Sequence, residues 1–314
     1  VGLLPTLLAA WVLATMLLVG APSKDLTWTS VTTAFASLNL KEVGLVTVTA
    51  VAVAVTLQPL QFRMVQLLEG YWPVSSRGWA YRLGLWRQMR RFSRLEGRLS
   101  VPADSSRGVG QQRALEARAQ AAMDRLEERF PSEDRLLPTA LGNALRAAED
   151  RSGRRYGLQS VVVWPRLYPL IPAHHRSAIE DEVTQLDVST RLAVTWSFTG
   201  LLATAVVLQD LHATQQNPKW LLVVGAIWFL AWLSYHAAVE SAVAHGLDIE
   251  VAFDLYRSYV VDAMRLPASS TLSEERRVLA GLTTLFETYD ETHDIELIYR
   301  KDRTAVDPGA YHRT

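Results

Sequence analysis

Four long hydrophobic runs constrain this chain more than any other feature. Gly2 to Gly20 (GLLPTLLAAWVLATMLLVG) carries no charged residue, and it is long enough to cross a hydrocarbon core of about 30 Å. Val43 to Leu60 (VGLVTVTAVAVAVTLQPL) is also uncharged. Its Val, Thr and Ala content suits a strand in water, but an open strand edge in lipid leaves backbone groups without partners, so this run is expected to be helical. Arg191 precedes the third run, LAVTWSFTGLLATAVVL, and Lys219 precedes the fourth, WLLVVGAIWFLAWLSY. Trp220 and Tyr235 lie at the ends of the fourth, where amphipathic rings anchor at the interface with water. A signal peptide is the competing reading of the first run, because Val19-Gly20-Ala21 has the form of a cleavage site. The missing basic stretch before the run, and its length, favour a spanning helix.

The connections sort the runs into two hairpins. Ala21 to Glu42 and Gln209 to Lys219 are short, whereas Gln61 to Arg191 is long. The short connections hold only Lys24, Lys41 and Lys219, while the long segment holds 21 Arg and the tail after Tyr235 holds seven Arg and Lys301. Positive charge stays on the inner side of a membrane, which places the long segment, the tail and both termini in the cytoplasm. The expected organisation is a first transmembrane hairpin over 1–70 with a kinked second helix, a cytoplasmic helical domain over 71–190, a second hairpin over 191–236, and a cytoplasmic helical extension and tail over 237–314.

Composition narrows the function classes. The 314 residues carry no formal net charge, so bulk charge points to neither nucleic acid nor an acidic ligand. The 28 Arg against 4 Lys, with abundant Ala, Leu and Val, is the usage expected of a high-GC bacterial genome. There is no cysteine, which excludes disulfides, thiolate metal sites and thiol nucleophiles.

Polar and basic patterning adds candidates. Pro59 should kink the second run by removing a helical hydrogen bond, and with Gln58 and Gln61 it makes a polar notch near the inner membrane face. From Leu85 to Leu99 (LWRQMRRFSRLEGRL), Arg87, Arg90, Arg91, Arg94 and Arg98 fall within roughly 100° of helical arc, with Leu85, Trp86, Met89, Phe92 and Leu99 on the other side. This amphipathic basic helix has two readings. Either it lies on the inner leaflet, arginines toward anionic headgroups and Trp86 in the acyl boundary, or its apolar side packs on other cytoplasmic helices and the arginines are solvated.

After a Ser- and Gly-rich linker at 102–110, Gln111 to Arg129 reads as a helix with Leu115, Ala119, Ala122, Leu126 and Phe130 on one stripe. Thr139 caps a further helix at 140–150. The third run is expected to begin as a soluble helix near His174, and the fourth to continue to Pro267; Thr271-Leu272-Ser273-Glu274 has the form of a capping box for a last helix. The apolar segment Val161 to Pro172, holding Pro165, Pro169 and Pro172, is too short and proline-rich to span. Its two possible surfaces are the membrane face, with Trp164 and Tyr168 as anchors and Arg166 near headgroups, or a groove of the cytoplasmic domain. Membrane-face packing is the favoured expectation.

No catalytic, cofactor or metal site is assigned. His236 and Glu240 stand one helical turn apart with His245 beyond, a spacing that places two ligands on one face but is ordinary polar chemistry at a membrane exit. Thr47, Thr49, Thr56, Thr195, Ser197 and Thr199 would be the polar groups of a conduction path, yet a threonine in a spanning helix can bond its own backbone, and no run carries a buried charge.

Several stretches resemble an uncharacterised group of bacterial multi-span integral membrane proteins: LPTALGNALRAAEDRSGRRYGL from Leu137, VVVWPRLYPLIP from Val161, LLEGYWP from Leu67, AFDLYR from Ala252 and LSEERRVLAGL from Leu272. The resemblance implies a bacterial membrane protein and brings no activity with it.

The sequence is thus that of an all-α membrane protein with four transmembrane helices in two hairpins and a helical cytoplasmic domain, in a bacterial cytoplasmic (inner) membrane. The expected role is non-enzymatic: a membrane-anchored scaffold or assembly module whose cytoplasmic helical domain recruits or senses a partner. The alternative is a subunit of an oligomeric ion channel or transporter gated at the Pro59 kink. Expected partners are anionic lipid headgroups, a cytoplasmic protein and, because a helix exposing Phe253, Tyr256, Tyr259 and Val260 needs cover, a second copy of the chain; nucleic acid is not expected.

Overall fold

A computed structural model describes residues 4–22, 24–72, 78–100, 108–209 and 218–287, with side chains 53, 54, 56–62 and 64 outside the description. Among the described residues the regular structure is helical throughout: α1 (Leu4–Val19), α2 (Trp28–Ala36), α3 (Leu40–Glu69), α4 (Trp79–Glu96), α5 (Val109–Arg129), α6 (Ala140–Arg151), α7 (Ser160–Leu167), α8 (Ala173–Leu208), α9 (Lys219–Ala263) and α10 (Leu272–Glu287), with short 3-10 turns between. The chain forms two compact units, Val1–Trp72 with Thr184–Ser241, and Pro73–Val183 with Ala242–Thr314. Both boundaries in the second half fall inside continuous helices, so α8 and α9 each supply residues to both units.

In the first unit, α8 and α9 are long and apolar enough to cross a membrane. The count rises to three if α2 and the start of α3, which meet at 98°, form one broken span. The described part of the uncharged first run forms α1, whose 16 residues extend about 24 Å at 1.5 Å per residue. The first connection, read from the sequence only as a short link, contains α2. Its start is fixed by reciprocal bonds between Thr27 and Ser30, and α3 opens on the same device made by Asn39 and Glu42. α3 is helical through position 59 as far as Glu69 and ends at left-handed Gly70. The side chains of Gln58, Pro59 and Gln61, the expected notch, lie outside the described ones.

The core of this unit joins Met16 and Val19 of α1 to Ala203 and Val207 of α8 and Trp220, Val224 and Ile227 of α9. Trp220 is 1% exposed and its indole N–H donates to the Lys24 carbonyl at 3.0 Å. The ring therefore clasps the turn after α1 instead of anchoring at an interface, the role its position suggested; a buried indole needs an acceptor, and Lys24 supplies one. Outward, Phe198, Leu201, Leu222, Phe229, Trp232 and Leu233 are exposed along α8 and α9. An apolar surface of that extent suits lipid and not water, which supports a membrane protein.

The second unit has its own core, in which Val163, Leu167 and Ile171 meet Ile179, Phe253, Val260, Leu279 and Leu282. α5 packs with the stripe expected of it, Ala122 being buried, and α6 starts at Thr139, whose side chain accepts from the Gly142 N–H. Buried Asn143 accepts from the Leu137 N–H at 2.7 Å and donates to its carbonyl at 3.0 Å, so one amide satisfies both backbone groups of an extended residue. α7 corrects the expectation that prolines keep Val161 to Pro172 out of a helix, since Pro165 lies inside it. Proline there removes one bond, to the carbonyl of Val161. Val161 is 62% exposed, whereas Val163 and Leu167 gain full burial, and burial decides the local structure.

α9 has 45 residues, about 68 Å, and stays helical through Gly246, although glycine is a poor helix former. A Cβ on Gly246 would stand 2.5 Å from the Cβ of Ala148. The glycine thus lets α9 lie against Ala148 of α6. Gly246→Ala should overpack that contact and cost about 1–3 kcal/mol, lowering the thermal midpoint of the solubilised protein. Gly110→Ala, which meets nothing within 4 Å, should leave the midpoint unchanged.

Candidate functional site

The most organised polar chemistry gathers where three of the quoted stretches meet. The loop after α6, Arg151-Ser152-Gly153-Arg154-Arg155-Tyr156-Gly157, turns twice through left-handed conformations, with Gly153 at φ +74° and Gly157 at φ +75°. A Cβ would stand 2.9 Å from Leu158 Cβ at the first and 3.3 Å from the Arg276 carbonyl at the second, so glycine is required by both backbone and space. This double turn presents Arg151 and Tyr156 to α9. Arg151 Nε bonds Glu250 Oε2 at 2.6 Å, and Tyr156 donates to Asp254 Oδ1 at 2.8 Å. Arg257, one turn on, stacks over the Tyr156 ring at 3.9 Å, donates to the Asp254 carbonyl and pairs with Glu275 of α10 at 3.0 Å. Burial and the bond to Asp254 both raise the Tyr156 pKa, so the phenol stays protonated and continues to donate.

Every acid named in this seam has a basic or phenolic partner, and every partner is held by packing. Its chemistry is that of a clamp. The i, i+4 acids Glu250 and Asp254, followed by Arg257, are legible on a helical wheel, but their partners are about 100 positions away, and nothing local in the sequence identifies them.

Beside the clamp lies an open cleft of about 1180 Å³, walled by α4 and α5 on one side and by the α6 end and the start of α7 on the other. Phe92, Met123 and Leu126 give it an apolar floor, and Arg135, Glu149 and Arg154 line it with charge. Arg135 pairs with Asp150, while Arg154 has no ion-pair partner among the described residues. Burial raises the pKa of Glu149, and outweighs the opposing pull of Arg135 and Arg146.

The arginine helix is partly as expected. It is α4, longer at its start and ending at Glu96, so Arg98 falls in the following turn. The face opposite the arginines divides: Phe92 packs edge-on against Phe130 at 5.9 Å and Gln88 is buried, but Trp86 and Met89 are exposed with the arginines. Arg87, Arg90, Arg91 and Arg94 are all exposed, and Arg90 lies over the Trp86 ring at 3.9 Å. The other membrane-surface candidates sit elsewhere. Trp164 lies 6.0 Å from Phe253 and 5.6 Å from Tyr168, whose hydroxyl donates to Glu180 at 2.6 Å; Arg166 covers the Phe286 ring at 4.1 Å. These groups touch residues of the second unit's own core and its helices. The same core buries Phe253 and Val260 and packs Tyr256, so these three residues of α9 are covered within the chain.

His236 bonds the Trp232 carbonyl at 2.9 Å, and the described residues contain no cluster of acids and histidines set to hold a metal. No family model, curated protein or solved structure matches this chain.

The Glu149 shift has a testable sign. A raised folded pKa means that the folded state holds the proton more tightly than the unfolded one, so this group takes stability away as pH rises through the window above its ordinary value. Glu149→Gln should therefore raise the melting midpoint at neutral pH, with the gain vanishing near about pH 4. A gain that is equal at both pH values would contradict this origin.

Proposed function

We propose that this protein is a membrane-anchored scaffold whose second, helical unit recruits a protein partner in the cytoplasm of a bacterium. The reading rests chiefly on the open cleft of about 1180 Å³: it is large, half-apolar and rimmed by both signs of charge, and the unit around it is already closed by its own core and clamp. Such a groove accepts an amphipathic segment of another protein, whose apolar face would meet Phe92, Met123 and Leu126.

The anchoring half of the proposal has four spans, α1, α3, α8 and α9, in two hairpins in the inner membrane. The distribution of Arg supports the second unit and both termini lying in the cytoplasm. A conduction role gains less support. Thr47, Thr199 and Thr204 each donate to a carbonyl one turn earlier, at 2.8, 2.7 and 2.6 Å, so these hydroxyls are occupied within their own helices and offer little polar lining for an ion path.

Native mass measurement of the mildly extracted full-length chain tests the proposal. A bound partner protein is expected, with occupancy several-fold lower in Met123→Glu, a change at an exposed position of the cleft floor. A bare monomer from wild type and variant alike, together with ion flux from purified protein in liposomes, would reject the scaffold in favour of the channel.

A further inference from the structure

α4 presents two unlike faces. At 100° per residue, Gly84, Gln88 and Phe92 share the side turned to the protein, where Pro138 approaches the Gly84 position to 2.8 Å of an ideal Cβ. On the opposite side Trp79, Leu83, Trp86 and Arg90 follow one another at helical spacing. Trp79 is 80% exposed, Leu83 53% and Trp86 49%. This second apolar stripe is not the one the sequence pattern offered, because Leu85 and Phe92 of that pattern are spent on packing. Arg82, Arg87, Arg90 and Arg94 flank the stripe, and none of them forms an ion pair among the described residues. The only acid in the helix is Glu96, at its last position.

We infer that the Trp79–Leu83–Trp86 stripe of α4, with its flanking arginines, docks on an anionic lipid surface. The inference rests on the membrane-anchored reading above and names a partner for it: the anionic headgroups of the inner leaflet. Two tryptophans and a leucine on a face ringed by arginine match the interfacial zone, where indoles sit at headgroup depth and guanidinium groups reach phosphates. The chemistry is specific in charge. A neutral surface offers the apolar stripe a place but leaves four desolvated guanidiniums uncompensated, and an acidic protein surface would not need three bulky apolar groups in a row.

Chain length permits the contact. Nine residues take the chain from Gly70, the cap of α3, to Trp79, a reach of at most about 30 Å. With the helical stretch from Gln61 to Gly70 added, α4 starts within about 45 Å of the inner membrane face, which leaves it free to reach that surface. The Arg90 guanidinium lying over Trp86 shows how charge and ring can occupy one site, the ring facing acyl chains and the cation facing phosphate.

The absence of cysteine makes a single-label test direct. Full-length Leu83→Cys, carrying an environment-sensitive fluorophore, is placed in nanodiscs of phosphatidylcholine alone or mixed with phosphatidylglycerol. The expected result is a blue-shifted label, quenched by lipids with brominated acyl chains, only when phosphatidylglycerol is present. Exchanging Arg82, Arg87, Arg90 or Arg94 for Gln should lower the ratio of docked to free helix by about fivefold each, with an unchanged thermal midpoint. A label that stays in water in both compositions overturns the inference, as does one shielded equally in both and untouched by brominated chains, because a protein surface then covers it. A chain not retained in the disc overturns the membrane reading and this inference together; a retained chain with a solvated label overturns this inference alone.

Discussion

The second unit depends on how closely α9 approaches α6. Only a hydrogen fits at position 246 opposite Ala148, and that proximity brings Glu250 and Asp254 within reach of Arg151 and Tyr156 on the next turns. Without it the double glycine turn would have nothing to grip. Phe253 would then lose the cover of Trp164, and Leu279 and Leu282 of α10 would lose their place in the same core. A half-buried ion pair is weak evidence for stability by itself, because desolvation offsets much of the attraction. Here its value is orientation: Arg151 and Arg257 reach α9 and α10 with geometry that fixes which turn meets which. The apolar core then adds the larger share of the free energy.

The first unit works by a different rule. Helices in lipid gain little from excluding water, so they associate through close packing and through polar groups that find partners. Gly200 lets the Trp228 ring lie against α8, a Cβ there standing 3.0 Å from the indole, and the indole N–H donates to Thr204 at 3.1 Å. Trp220 does the same for the turn after α1. Trp220 looks like an interface anchor in a linear sequence, and it is wholly enclosed.

Periodicity and capping residues carried much of the fold. The ends of α3, α6 and α10 and the stripe of α5 follow from Gly70, Thr139, Thr271 and the spacing of Leu115, Ala119, Ala122 and Leu126. At α10 the Thr271 hydroxyl accepts from the Glu274 N–H as a capping box requires, while the Glu274 carboxylate accepts from the N–H and hydroxyl of Ser270 instead of from Thr271; those bonds hold its pKa below the ordinary value. What sequence could not supply was partner identity. Whether Trp164 faces lipid or Phe253 depends on a contact between positions 89 apart, and no local pattern distinguishes them. α2 was missed because nine residues of Thr, Ser, Ala and Val with two aromatics carry no helical signal until the Thr27 and Ser30 bonds are seen. Likewise, α4 was read as having one apolar side because its packing partner, Pro138, lies in another segment.

The proposed topology places the arginine-rich unit inside the cell and α2 outside it. Labelling of single cysteines in right-side-out membrane vesicles by an impermeant maleimide tests this most directly. Thr32→Cys, on exposed α2, is expected to react from outside, and Gln120→Cys, on exposed α5, only after the vesicles are opened. Reaction of Gln120→Cys in sealed vesicles would contradict the account.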